Sequence, residues 1–254
     1  MSFHNYRGIT MFGGYGKCLI CFSFGKLNAE AMITSDPNYI EALHLDPIAS
    51  LALKRYVSVS EEKEFIDRAT GKVENQDFVL DLVRLYADQT LDLSVFEKYQ
   101  LSEVMDYLNR THGLYTNRML PKIEMAIANV TRHFPDHPIS AILEHFFHRY
   151  RNELLEHIEL EESKLFPYAN ELAQGHRRSD YSISTFMLQH DHSIESDLVK
   201  IIPLVEKEYP EVAQSFSFRA FRTLLAQLGV DLKIHHLIEE RVFLSKVLQL
   251  EKGQ

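Results

Sequence analysis

The amino-acid sequence predicts an all-α protein: an up-down-up-down four-helix bundle with an N-terminal helical extension. Three observations carry that prediction. From Asp36 onward, apolar residues recur at helical spacing in stretch after stretch. Strand signals are nearly absent, with no Asn-Gly or Asp-Gly hairpin and no sustained alternation. Four long amphipathic stretches, near 94–130, 138–173, 180–207 and 215–250, are joined by short breaks, the pattern of antiparallel neighbours.

Residues 1–32 stand apart. They are rich in Gly and aromatics (Phe12-Gly13-Gly14-Tyr15-Gly16), lack a helical period, and read as an unassigned, poorly ordered segment. The apolar stretch Cys18–Phe24 is short and interrupted for a signal-peptide core, and Met11 and Met32 are alternative starts. Cys18 and Cys21 form a Cys-x-x-Cys pair. A structural zinc site wants four ligands and a redox pair wants a βαβ setting, so the expected state is a reduced pair in a loose segment.

Residues 33–93 read as a small helical region. Asp46-Pro47 is an N-cap and N1 pair leading into 48–56. Ser60-Glu61 starts a second helix that Gly71 closes. Asn75 or Asp77 opens a third, with Phe78, Leu82 and Leu85 on one stripe. The bundle occupies 94–254. Its breaks are Phe134-Pro135-Asp136-His137-Pro138, Gly175-His176-Arg177-Arg178-Ser179 and Tyr209-Pro210. Pro121 inside the first long helix is expected to kink or split it.

Composition excludes several classes. The chain has 254 residues, 45% hydrophobic and 25% charged, enough for one large domain or one with a small extension. No apolar run approaches the roughly 18 residues a membrane span needs, so a cytoplasmic protein without a membrane partner is expected. The net charge of −9 argues against a broad phosphate-binding surface. No nucleic-acid partner is expected, because no basic recognition helix stands out and Lys54-Arg55 is too short a patch. Nothing in the composition specifies an oligomeric state; a homodimer is compatible with it.

Histidine is the unusual residue. There are 13, about twice typical usage, and eleven fall between His112 and His236. Three pairs satisfy His-x-x-x-Glu: His157/Glu161, His235/Glu239 and His236/Glu240. Positions i and i+4 share a helix face, so each pair is a half-site for a transition metal. Chance would supply one or two such pairs, so register has to decide. His112 precedes His157 by 45 residues, and His190 precedes His235 by the same 45; both halves are offset by 78. A single His followed by His-x-x-x-Glu, repeated at constant spacing, points to a duplicated two-helix unit. Four helices can then aim His112, His157, His190, His235, Glu161 and Glu239 at one interior point. Imidazole with carboxylate suits iron or manganese; a thiolate set would favour zinc or a cluster.

The constellation resembles the hemerythrin-like, or HHE cation-binding, family over about residues 95–250. His157-Ile-Glu-Leu-Glu161, continuing to Leu165-Phe166-Pro167, looks like the family's His-x3-Glu-x3-Leu-Phe-Pro segment. His235-His236-Leu-Ile-Glu239, continuing to Phe243-Leu244-Ser245, is similar, with Phe-Leu-Ser in place of Leu-Phe-Pro. This alignment selects His235/Glu239 over His236/Glu240. Thr111-His112 followed by Leu120-Pro121 resembles the first ligand helix, and Gln189-His190-Asp191 the third, with Gln in place of Glu. Within the family the nearest likeness is to the di-iron proteins that repair iron–sulfur clusters after nitrosative or oxidative damage. Many of those carry Cys-Cys-Gly-Gly in an N-terminal helical domain; here the only cysteines are Cys18 and Cys21.

The resemblance implies two iron ions, with both Glu side chains bridging and manganese or zinc less suited. It implies cluster repair or defence against nitric oxide and oxidants. The partners would be damaged iron–sulfur proteins or a diatomic ligand, dioxygen or nitric oxide. The alternative is reversible dioxygen binding, or oxygen or iron sensing. Register gives no support to His145, His148, His192 or His236. His145 and His148 are either partners of the ligand imidazoles or part of a solvated face. Tyr115, one turn beyond His112, reads as core, and Leu165, Phe166, Phe243 and Leu244 as residues that close the site against water.

Overall fold

The structure, a computed structural model, describes residues 48–56, 76–176, 178, 180–189 and 194–253, with the side chains of 76, 188–189 and 194–199 excepted. Cys18, Cys21, the Asp46-Pro47 cap, the helix expected over Ser60–Gly71, His190 and His192 lie outside the described residues. All described residues belong to one unit, Ser35–Gln254.

The chain is helical, with no strand among the described residues. Two short helices come first, α1 (Ala49–Leu53) and α2 (Gln76–Ala87). Phe78, Leu82 and Leu85 are buried on one face of α2, as the periodicity required. A 3-10 turn over Leu93–Phe96 leads into α3 (Leu101–Leu114). A capping box starts α3: the Gln100 N–H donates to Glu103 Oε2 at 2.7 Å.

α3 does not stop at Pro121. It passes through a π-turn, Tyr115–Met119, directly into α4 (Leu120–His133). The next helix repeats the device: α5 (Pro138–Leu160), a π-turn at Glu161–Leu165, then α6 (Phe166–Ala173). In each, the residue before a proline donates five residues back, Leu120 to the Tyr115 carbonyl and Phe166 to the Glu161 carbonyl. Pro121 and Pro167 have no N–H to give, and each ring would press on the carbonyl four residues earlier. The wider turn accommodates the ring, so the chain stays helical through Pro121 and is not split there.

α6 ends in a Schellman arrangement at Gly175 (φ +81°): His176 N–H donates to the Glu171 carbonyl and Gly175 N–H to the Leu172 carbonyl. The third stretch appears as α7 (Ile183–Gln189) and α8 (Ile194–Glu208), followed by the short α9 (Pro210–Ala213). The last is α10 (Phe216–Ile238), a π-turn at Glu239–Phe243, and α11 (Leu244–Gly253). Ser215 caps α10 by accepting from Phe218 N–H. Ser245, not proline, follows this third π-turn, so proline is not the only cause of such turns here.

α4 packs on α5 and α10, and α8 packs on the same two, which makes a closed ring of four helices. Their apolar faces form one cluster, running from Leu114 to Val130, Ile139 to Ile158 and Ile201 to Leu232. A second cluster joins α1, α2 and the start of α3 to Leu165, Phe166, Ile238, Phe243 and Leu244. The described parts of 33–93 therefore share a core with the long helices. Each ligand-bearing helix crosses from one cluster to the other where its His and Glu residues sit. No helix among the described residues is long and apolar enough to cross a membrane.

Candidate metal centre

Two buried groups of side chains occupy that crossing. His112, Glu161 and His235 form the first, and His157, His236 and Glu239 the second. Within each group, one ligand atom from every residue lies within 4.8 Å of the others. Each group can hold a metal ion. Five of the six residues expected from register are therefore brought together, and the sixth, His190, lies outside the described residues.

His236 is the residue that register missed. Consecutive helix positions are about 100° apart, so only one of His235 and His236 was expected to face inward. Both are buried because the last turns of α10 are enclosed on several sides: Asp231, Leu232, Ile234 and Ile238 are buried as well. His235 joins the first group and His236 the second, with their ring centroids 5.8 Å apart. The doubled histidine, flanked by Ile234 and by Leu237-Ile238, was the available signal. Glu240, the other partner in the third His-x-x-x-Glu pair, is exposed.

Glu161 links the groups. Its Oε2 lies 3.0 Å from His112 Nε2, and its Oε1 lies 2.7 Å from His157 Nε2. One carboxylate thus presents one oxygen to an imidazole of each group. Glu239 belongs to the second group, and its Oε2 is 3.9 Å from Nε2 of His235 in the first. Both carboxylates are fully buried and begin π-turns, a helix irregularity that recurs at functional sites.

The surroundings orient the donors. Glu162 Oε1 is 3.0 Å from His112 Nδ1. An ionised carboxylate only accepts, so the proton sits on Nδ1 and Nε2 faces Glu161. Phe166 stacks on the His112 ring at 5.6 Å, and Tyr115 meets the His235 ring edge-on at 5.8 Å. Tyr115 is core, as read from the sequence. Leu165, Phe166, Phe243 and Leu244, expected to close the site against water, are buried. His145 and His148 lie on the solvated face.

Electrostatics favour a cation here. Burial and the neighbouring Glu161 push the Glu239 carboxyl well above the usual range. Burial and the nearby His112 hold the His235 imidazole well below its ordinary value, and its Nδ1 has no hydrogen-bond partner among the described residues. Burial opposes the charge on His112, but Glu161 and Glu162 outweigh it and the pKa rises. A bound cation offsets carboxylate repulsion and takes a lone pair from each imidazole. Ligands must first lose their protons, and both His112 and Glu239 hold theirs above the ordinary pKa. Loading is therefore expected to release protons and to tighten as pH rises, by up to about tenfold per pH unit for each proton released. Metal addition in weak buffer with a pH indicator measures this; uptake without proton release would count against these ligands.

The donor set, four imidazoles and two carboxylates among the described residues, suits iron or manganese better than a thiolate-preferring ion. Compared with family models, with curated proteins and with solved structures, the chain matches none of them, so the functional reading stands on these two buried groups.

Proposed function

We propose that this chain is a di-iron protein of hemerythrin-like architecture, an up-down-up-down four-helix bundle that handles iron or small oxidants. The observation that carries the reading is the position of Glu161, with one oxygen against each His group. A lone metal site has no use for a second buried carboxylate–imidazole group at this range, whereas a dinuclear site uses both. The closed ring of α4, α5, α8 and α10 supports the bundle.

In this reading His112 and His235 hold one iron, His157 and His236 the other, and Glu161 and Glu239 serve both. The sequence register adds His190. Iron bound there supplies one-electron chemistry and an affinity for diatomic ligands such as dioxygen and nitric oxide. The chain's own groups do the rest. Glu162 fixes the His112 tautomer, and Phe166 and Phe243 keep water out of the pocket. The role is iron–sulfur cluster repair or defence against nitric oxide and oxidants, with damaged cluster proteins or the diatomic itself as partner.

Metal analysis of freshly purified protein is the first test, with about two irons per chain expected from the two groups. Zero or one metal at saturation would sink the dinuclear reading. The loaded protein is then added to an oxidatively damaged cluster enzyme, with the same amount of free iron as control. Recovery above that control supports repair. A stable oxygenated form of the reduced protein that reverts on deoxygenation would assign dioxygen carriage instead.

A further inference from the structure

Arg55 was part of a basic pair too short to be a nucleic-acid patch; in the structure it is buried beside the first metal group. It follows α1, and its side chain is wholly inside. Nη1 donates to the Leu51 carbonyl at 2.7 Å, which anchors the guanidinium to its own helix. Nε donates to Thr111 Oγ1 at 2.7 Å, and Nη2 donates to Asp231 Oδ2. Thr111 immediately precedes His112. Asp231 stands one helical turn before His235, on the same face.

A second set of contacts runs the same way. The guanidinium carbon lies 5.2 Å from the ring centroids of both Tyr86 and Tyr107. The Tyr86 hydroxyl donates to Asp231 Oδ1 at 2.9 Å, and the Tyr107 ring sits 6.4 Å from the ring of His235. One planar cation with a fixed fork of donors thus spans the two helices that supply His112 and His235. Among the described residues its hydrogen bonds go to Leu51, Thr111 and Asp231, and none to α5, which supplies His157.

We propose that Arg55 is a positioning residue for the His112–Glu161–His235 metal group, setting the separation of α3 and α10 so that the two imidazoles meet one ion. α1 and the turn that carries Arg55 are then a working part of the metal centre. The inference rests on the dinuclear reading above, and it differs from a general stabilising role in one respect. Loss of fold stability weakens both groups alike, whereas loss of positioning weakens the first more than the second, since the second draws His157 from α5, which Arg55 does not hold.

The test is a titration of the metal-free full chain with cobalt(II), whose ligand-field absorption reports each ion bound, for the wild type, Arg55→Leu and Arg55→Lys. The wild type is expected to take up two equivalents. In Arg55→Leu one equivalent is expected to weaken about 10- to 100-fold, the range for loss of a group that orients ligands. The other equivalent is expected to weaken clearly less, because Arg55 makes no hydrogen bond to α5, although the shared Glu161 couples the two sites. Arg55→Lys keeps the charge but lacks the fork, so it should restore folding fully and affinity in part. It also serves as the measured variant if Arg55→Leu does not fold. Equal weakening of both equivalents, or of neither, overturns the positioning role. A wild type that binds no cobalt overturns the dinuclear reading itself, and this inference with it.

Discussion

Glu161→Ala is expected to empty both metal sites at once, taking metal content from about two ions per chain to near zero. No other single change in the centre should do as much. Glu161 approaches an imidazole of each group, at 3.0 Å and 2.7 Å, while Glu239 lies 3.9 Å from the first group's His235. Losing an outer partner such as Glu162 typically weakens a metal about 10- to 100-fold, so losing a shared direct ligand should exceed that range for both ions. Glu161→Gln sharpens the comparison. Its amide keeps the volume but offers one neutral oxygen in place of two charged ones, so it should retain at most one ion. His148→Ala, on the solvated face, should retain both. Metal analysis after desalting reads all three, and Glu161→Ala protein that still carries two ions would show that the carboxylate is not shared.

Much of this centre was legible in the sequence, for a definite reason. The i to i+4 spacing of His157/Glu161 and His235/Glu239 fixes a shared helix face before any fold is known. The 45-residue register then singles out His112, which joins the first group, and His190, which lies outside the described residues. The helix stretches were legible for the same reason: α5 and α10 begin within a residue or so of the breaks at Pro138 and residue 215. Three things were not legible. The pairing itself was crossed, since His235 sits with Glu161 and His112, while Glu239 sits with His157 and His236. A spacing rule describes one helix and carries no information on which oxygen meets which neighbour across the bundle. The π-turns were invisible because they redistribute backbone hydrogen bonds without altering the apolar pattern. The role of Arg55 was not legible because nothing near it in the sequence marks an arginine for burial. Its burial depends on Asp231, which lies 176 residues away.

That distant partner underlies the largest stability effect in the molecule. Asp231→Ala is expected to destabilise the metal-free protein by about 3–5 kcal/mol, the cost of leaving a buried ion without its partner. Both side chains are fully enclosed, and Asp231 also accepts from the Tyr86 hydroxyl. Arginine has no accessible neutral form, and although burial opposes its charge, the Asp231 carboxylate holds the Arg55 pKa above its ordinary value. The stranded cation cannot relieve itself by losing a proton, and the Tyr86 hydroxyl loses its acceptor in the same step. For a chain of this size such a loss corresponds to a Tm lower by about 6–20 °C. Removing both charges should behave differently. Arg55→Met with Asp231→Leu fills similar volume without an ion to desolvate, so it should recover most of the deficit. Thermal unfolding in chelator measures all three proteins without any contribution from bound metal. A deficit below about 1 kcal/mol for Asp231→Ala would mean that water reaches the guanidinium. A double variant no better than the single one would place the energy in the tyrosine and threonine contacts and not in the ion pair. Recovery of stability in the double variant without recovery of the first metal equivalent would separate the two roles of Arg55: its charge holds the fold, and its fork of donors sets the distance between His112 and His235.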